Sequence, residues 1–199
     1  MTGVQTCALP ICGAWYIYFA AGELDDLWNI RPYVLECKDV NPLTGTWCEL
    51  GKMQCADEDE FSFSAFSLDA TVFENQGKRY FVWAEKIGTG KMISNLYIAE
   101  MEKPWKLKTE QILLTTPDYD WERTGYWVNE GPSVIKHKGK LFLTYSASST
   151  GSCYCIGLMQ AEETADLLDP RSWIKSRYPL LATDEEKGIY GPGHNCFTK

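Results

Sequence analysis

Two acidic side chains stand out because of what surrounds them. Asp69 lies within Phe66-Ser67-Leu68-Asp69-Ala70-Thr71-Val72-Phe73, and Glu130 within Tyr126-Trp127-Val128-Asn129-Glu130-Gly131-Pro132. Most acids in a protein are solvated, cap a turn or pair with Arg. A carboxylate inside an apolar run is different, because burying its charge without a partner is costly. Two such groups brought together raise the proton affinity of one of them, through like-charge repulsion and partial desolvation. That is the condition for a general acid working near neutral pH. The two acids also share a position: they precede Gly77 and Gly139 by eight and nine residues, nearly the same place in two copies of one unit.

The unit that must position them occurs three times. Gly13-Ala-Trp-Tyr-Ile-Tyr-Phe-Ala-Ala, Gly77-Lys-Arg-Tyr-Phe-Val-Trp-Ala-Glu and Gly139-Lys-Leu-Phe-Leu-Thr-Tyr-Ser-Ala each set a turn glycine before an aromatic and β-branched run. That pattern predicts a strand. The glycines lie 64 and 62 positions apart. A second strand follows each, at Pro32-Tyr-Val-Leu-Glu, Asn95-Leu-Tyr-Ile-Ala-Glu and Tyr154-Cys-Ile-Gly-Leu-Met, and each runs on to a lone tryptophan: Trp47, Trp105 and Trp173. Before two of the glycines comes an inner strand, and these carry Asp69 and Glu130. Sixty-residue units of four short antiparallel strands predict blades of a β-propeller, an all-β architecture whose radial packing protects sheet edges. About three blades fit in this chain, fewer than close a ring, so the sequence reads as an incomplete propeller. The stretch Ala161–Leu168 looks helical, and Thr115–Gly125 and Thr183–Gly193 read as loops.

Composition narrows the partners. The 199 residues carry a net charge of −8 and 14% aromatic side chains, with no basic cluster. Phosphate affinity needs concentrated Lys and Arg, so nucleic acid and anionic membranes are excluded as expected partners. No apolar run is long enough to span a bilayer, whereas a neutral polyol suits the acidic, aromatic surface. The eight cysteines contain no C-x-x-C pair for zinc, and Cys153 and Cys155 are expected on opposite faces of a strand. Residues 1–12 form a separate problem. Met1–Ile11 resembles the translation of a sequencing-adapter oligonucleotide, and lacks the basic and apolar regions of a signal peptide. Residues 13–199 are therefore read as the native part, a partial propeller domain, and the compartment, secreted or cytoplasmic, stays open.

These segments resemble the family 43 glycoside hydrolases, over essentially residues 13–199. The signposts are Ser67-Leu68-Asp69-Ala70, Val128-Asn129-Glu130-Gly131-Pro132 and Gly191-Pro192-Gly193-His194-Asn195. The resemblance implies a five-bladed propeller and an inverting glycosidase acting on arabinose- or xylose-containing glycans in hemicellulose, with no cofactor required. Glu130 then matches the general acid, and Asp69 the carboxylate that tunes and orients it. His194 matches a histidine near the propeller axis, associated with a structural calcium or a central water. The general base of the family is an aspartate in the first blade, and nothing here matches it, so this polypeptide is expected to lack turnover. An exo-acting α-L-arabinofuranosidase on arabinan or arabinoxylan is the leading expectation. The alternatives are a β-xylosidase or endo-arabinanase of the same family, or a non-catalytic glycan-binding propeller.

Remaining candidates divide between chemistry and packing. Trp127, three residues before Glu130, offers a flat platform for a sugar face, or packs between blades. Trp83 and Tyr145 occupy equivalent strand positions and read as core. His137 falls in a solvated turn. The acidic run Asp57-Glu58-Asp59-Glu60 lacks the alternating ligand pattern of a calcium loop and reads as a solvated loop.

Overall fold

The computed structural model describes residues 9–11, 13–22, 24–26, 28–87 and 93–197. Three blades follow one another along the chain. The first is β1 (Leu9–Ile11), β2 (Ala14–Ala21), β3 (Arg31–Cys37) and β4 (Trp47–Lys52), a four-stranded antiparallel sheet in sequence order. The second comprises β5 (Ser67–Asn75), β6 (Lys78–Ile87), β7 (Ile93–Lys103), the short β8 (Lys106–Leu107) and β9 (Ile112–Thr115), with β8 and β9 both pairing β7. The third is β10 (Trp127–His137), β11 (Lys140–Ala147), β12 (Cys155–Glu162) and β13 (Ile174–Lys175). A short parallel pairing, Trp127 with Ile93 and Val128 with Ser94, joins the second and third blades.

The repeat arises from tight hairpins and from sheets buried on both faces. Asn75 pairs with Lys78 and His137 with Lys140, leaving Gln76-Gly77 and Lys138-Gly139 as two-residue turns. All four turn residues have positive φ. This is the geometry whose twist matches antiparallel strands. On β6, Phe81 and Trp83 pack toward the first blade, against Tyr18, Val34 and Phe63. Tyr80, Val82 and Ala84 face the other way, toward Leu141, Leu143 and Tyr145 of the third. Strict alternation on a strand with two apolar neighbours thus gives an almost continuous apolar sequence. Trp83 and Tyr145 are both fully buried, as expected of core.

Several expectations change. The segment Ala161–Leu168 is not a helix: Ala161 pairs with Leu141 in β12, which runs to Glu162. Beyond it the Asp166 carboxylate accepts the Leu168 N–H at 3.1 Å, a local bond that competes with helix formation. The helical turns among the described residues are 3₁₀ segments at Asp120–Glu122, Pro170–Ser172 and Glu185–Lys187, the first and last inside the expected loops. Cys153 lies in the turn before β12 and only Cys155 is in the strand, so the pair does not alternate across one sheet. The six described cysteines are all free thiols. β1 falls inside the segment expected to be non-native. Pairing needs only backbone groups and a side chain that tolerates the core, and Ile11, 4% exposed, meets the second condition. In the acidic run, Asp59 caps the N–H groups of Phe61 and Ser62, while Asp57 pairs with Lys106.

Two buried glutamates, unmarked by any sequence signal above, fix the loops that lead into the inner strands. Glu85 accepts the N–H groups of Phe63 and Ala65, the Ser64 hydroxyl and the Trp83 indole N–H at 2.8–3.4 Å. Glu122, with no exposed surface, accepts the N–H groups of Asp118 and Tyr119, the Asn129 amide, the Tyr145 hydroxyl and the Lys175 ammonium. A buried carboxylate so fully partnered is tolerable, and removing it strands every donor around it. Glu122→Ala should therefore lower stability by about 3–5 kcal/mol, read as a lower urea midpoint. Glu122→Gln, which keeps acceptor capacity, should lose less. An unchanged midpoint for the alanine variant would refute the anchoring role.

Candidate active site

A bulge at the start of each inner strand places the two acids. In β5 the register moves from Leu68 opposite Ala84 to Thr71 opposite Val82, which inserts one extra residue. In β10 it moves from Glu130 opposite Ser146 to Ser133 opposite Thr144, the same insertion. The left-handed residue of each bulge is Asp69, φ 53°, and Gly131, φ 55°. Both lie eight residues before their hairpin glycine, so Asp69 corresponds to Gly131, and Glu130 corresponds to Leu68. The expected equivalence of the two acids is thus off by one residue. An extra residue in a bulge reverses which side the next side chain takes, and that offset lets neighbouring blades present acids of different surroundings to one place.

Asp69 is the buried one. Its side chain is 3% exposed, Oδ2 accepts the Gly131 N–H at 3.1 Å, and Oδ1 has no partner among the described residues. Burial, and then the charge of Glu130, push its pKa from an ordinary 3.8 up to about 7, against the opposing pull of the Gly131 N–H. Glu130 is half-buried, and its Oε1 accepts the Tyr154 hydroxyl at 2.7 Å. The direct link between the two acids' positions is therefore the backbone amide beside one acid donating to the other.

The segment after the third blade closes over this pair. His194 donates its backbone N–H to the Ser146 hydroxyl at 2.6 Å, and its ring Nδ1 lies 3.9 Å from Asp69 Oδ2. The ring rests on Gly131, where a Cβ would come within 3.1 Å of Nδ1. A Cβ on Gly193 would overlap the Tyr154 ring at Cδ1 and Cε1. The glycine pattern of Gly191-Pro192-Gly193-His194 thus has a cause in close backbone approach. Tyr154 and Ser146 belong to the same cluster and carry no motif of their own. The register opposite Glu130 was the only signal that could have singled out Ser146.

Of the expected site residues, the structure gathers Asp69, Glu130 and His194 and leaves Trp127 apart. Trp127 and Asn129 take one side of β10 and Glu130 the other, by strand alternation. Asn129 bonds Glu122, and the Arg123 guanidinium lies 5.1 Å from the Trp127 ring centre, so the indole belongs to the anchored 117–124 loop. His137 ends β10 in solvent. No group of three His, Cys, Asp or Glu side chains that could hold a metal occurs among the described residues. Calcium takes about six to eight oxygen ligands, and the cluster at His194 offers one imidazole and the carboxyls of Asp69 and Glu130. Among the described residues the protein's own donors do not complete a calcium cage.

The chain is similar in sequence and fold to known proteins. The profile of glycosyl hydrolases family 43 matches residues 7–199. An extracellular exo-α-(1→5)-L-arabinofuranosidase of Streptomyces avermitilis is 48% identical over 188 residues, covering 94% of this chain and 38% of the relative. A protein of the same description from Streptomyces chartreusis is 47% identical, covering 94% and 56%. The crystal structure of an α-L-arabinofuranosidase from Lactobacillus brevis superposes with a TM-score of 0.86 at 45% identity, over 96% of this chain and 59% of that one. The chain thus spans between about two fifths and three fifths of these relatives. The structures of the family are five-bladed propellers, and three such blades, with paired acids at the mouths of two inner strands, are present here. The chain belongs to family 43 of the glycosyl hydrolases.

Proposed function

We propose that this chain is the acid-bearing part of an inverting, exo-acting α-L-arabinofuranosidase that removes terminal arabinofuranosyl groups from arabinan or arabinoxylan. The observation that carries the reading is the unequal pair at the inner strands: one carboxyl sealed in the protein, one reachable from outside. Glu130 can meet a glycosidic oxygen, whereas Asp69 cannot. Glu130 then donates the proton to the departing sugar oxygen. Asp69, held by Gly131 and facing His194, sets the field in which that proton is held. The names of the relatives at 47–48% identity support arabinofuranoside as the substrate class. Proteins titled endo-arabinase and xylan β-1,4-xylosidase are 15% and 14% identical, a likeness of fold alone.

Inversion needs a second carboxylate that activates water on the opposite side of the sugar, with the two carboxyls roughly 6.5–9.5 Å apart. The first blade is where the family resemblance places that base. Counting eight and nine residues back from Gly13, as from Gly77 and Gly139, reaches Gln5 and Val4, outside the described residues and neither of them acidic. The 199-residue polypeptide should therefore show no turnover of nitrophenyl α-L-arabinofuranoside above buffer. Sustained hydrolysis by the purified chain would overturn the assignment of the base to the first blade. In an enzyme that joins these blades to a complete propeller, Glu130→Gln should lower kcat on arabino-oligosaccharides by about 10²–10⁴-fold. Retention of the rate would return the site to a glycan-binding role.

Asp69 makes a separate, thermodynamic prediction. Its folded pKa, about 7, lies above its ordinary 3.8. Between those values the native state holds a proton that the unfolded chain has released, so stability falls as pH rises through this window and the full cost is felt above pH 7. The displacement is worth roughly 4 kcal/mol. Asp69→Asn keeps an acceptor for Gly131 and carries no charge. It should raise the melting temperature at pH 8 and leave it nearly unchanged at pH 4. Equal effects at both pH values would contradict the buried, proton-retaining carboxyl.

A further inference from the structure

The hydroxyl groups around Glu130 form a chain with a direction. The His194 N–H donates to Ser146 Oγ at 2.6 Å. The Ser146 hydroxyl, its oxygen already an acceptor, faces the Tyr154 phenol, where its influence opposes the upward push of burial and of the Glu130 charge. Tyr154 has one proton, and it goes to Glu130 Oε1 at 2.7 Å. Ser146 has no exposed surface and Tyr154 is 7% exposed, so solvent has little access to these two hydroxyls. The phenol is pushed well above its usual range by burial and by the Glu130 charge, and stays protonated as a donor. The tyrosine ring is held in turn by the backbone at Gly193, where no side chain would fit.

We propose that Tyr154, backed by Ser146 and the His194 amide, is the positioning residue of Glu130: it occupies Oε1 as an acceptor and so assigns the transferable proton to Oε2. An acid with two equivalent oxygens can present its proton in several orientations, most of them useless to a leaving oxygen. A fixed donor on Oε1 removes that ambiguity. The carboxyl then meets the substrate with Oε2–H outward in the correct rotamer, a gain of orientation. Proton transfer leaves Oε1 with its bond to Tyr154, which becomes charge-assisted and so stronger as the carboxylate forms. Balance is simple: the proton leaves Oε2 for the glycosidic oxygen, the glycosidic bond breaks, and the Tyr154 proton stays where it was. The inference rests on Glu130 as the general acid, and the test separates the two.

The experiment uses the complete enzyme carrying these residues, with Tyr154→Phe, Ser146→Ala and Glu130→Gln. Each is assayed on arabinobiose, whose sugar leaving group needs a proton, and on a dinitrophenyl arabinofuranoside, whose leaving group needs little. Tyr154→Phe keeps the packed ring and should lower kcat on arabinobiose by about tenfold or more, with little change in KM and in dinitrophenyl turnover. Ser146→Ala should give the same split in smaller measure, and it reads the relay independently if the tyrosine variant fails to fold by its melting curve. If Glu130→Gln shows the split while Tyr154→Phe and Ser146→Ala leave both substrates alike, Tyr154 only packs and the positioning role is overturned. Loss of the split in Glu130→Gln itself would instead remove Glu130 as the acid.

Discussion

A propeller blade is buried on both faces, and this constraint arranges everything else in the molecule. A strand such as β6, with Phe81 and Trp83 on one side and Tyr80 and Val82 on the other, has no face left for polar chemistry. Charge can stand only at the strand ends, or inside the sheet where every lone pair is taken. Glu85 and Glu122 are the second kind. Each collects backbone and side-chain donors from the loop that leads into an inner strand, and Glu122 adds the Lys175 ammonium. Buried in this way they act as structural pins, because breaking such a cluster leaves donors in a dry interior. Asp69 and Glu130 are the first kind, at the mouths of β5 and β10.

The difference between those two acids comes from the position each takes in the same bulge. Asp69 is the left-handed residue of its bulge, while in β10 that place belongs to Gly131 and the acid stands one position earlier. Non-glycine residues tolerate this backbone region with difficulty, aspartate and asparagine best among them. The geometry turns Asp69 inward, where burial keeps its proton to about pH 7, and leaves Glu130 at the opening. Two carboxyls thereby take two environments, one sealed in the protein and one at the opening, and environment is what drives the proton affinities of like groups apart.

The blades were legible in the sequence because hairpin glycines and apolar strands recur at nearly constant intervals, and interval is what a linear pattern records best. The pairing of Asp69 with Glu130 was legible for the same reason, to within one residue. The bulges that turn this offset into different surroundings leave no mark in spacing, because both strands carry one. Ala161–Leu168 was misread because its small and acidic residues suit a helix locally, while the ladder to β11 claims Ala161. Glu85 and Glu122 went unseen because a buried glutamate and a solvated one look alike until their donors are placed. Trp127 was set near the chemistry by its distance along the chain, but alternation on β10 turns it toward Arg123. Tyr154 and Ser146 depend on two strands and a later loop meeting at Glu130, which no single segment records.

The meeting of His194 with Ser146 has a consequence for the order in which the protein becomes what it is. Translation delivers the strand bearing Glu130 well before it delivers Gly193 and His194. Strands pair and cores form as the chain emerges, yet the amide that starts the line of donors to Glu130 arrives only with the segment after the third blade. The carboxyl is thus in place early and aligned late. A nascent chain would hold a folded scaffold with an unset acid, and the segment bearing His194 completes the alignment as it docks.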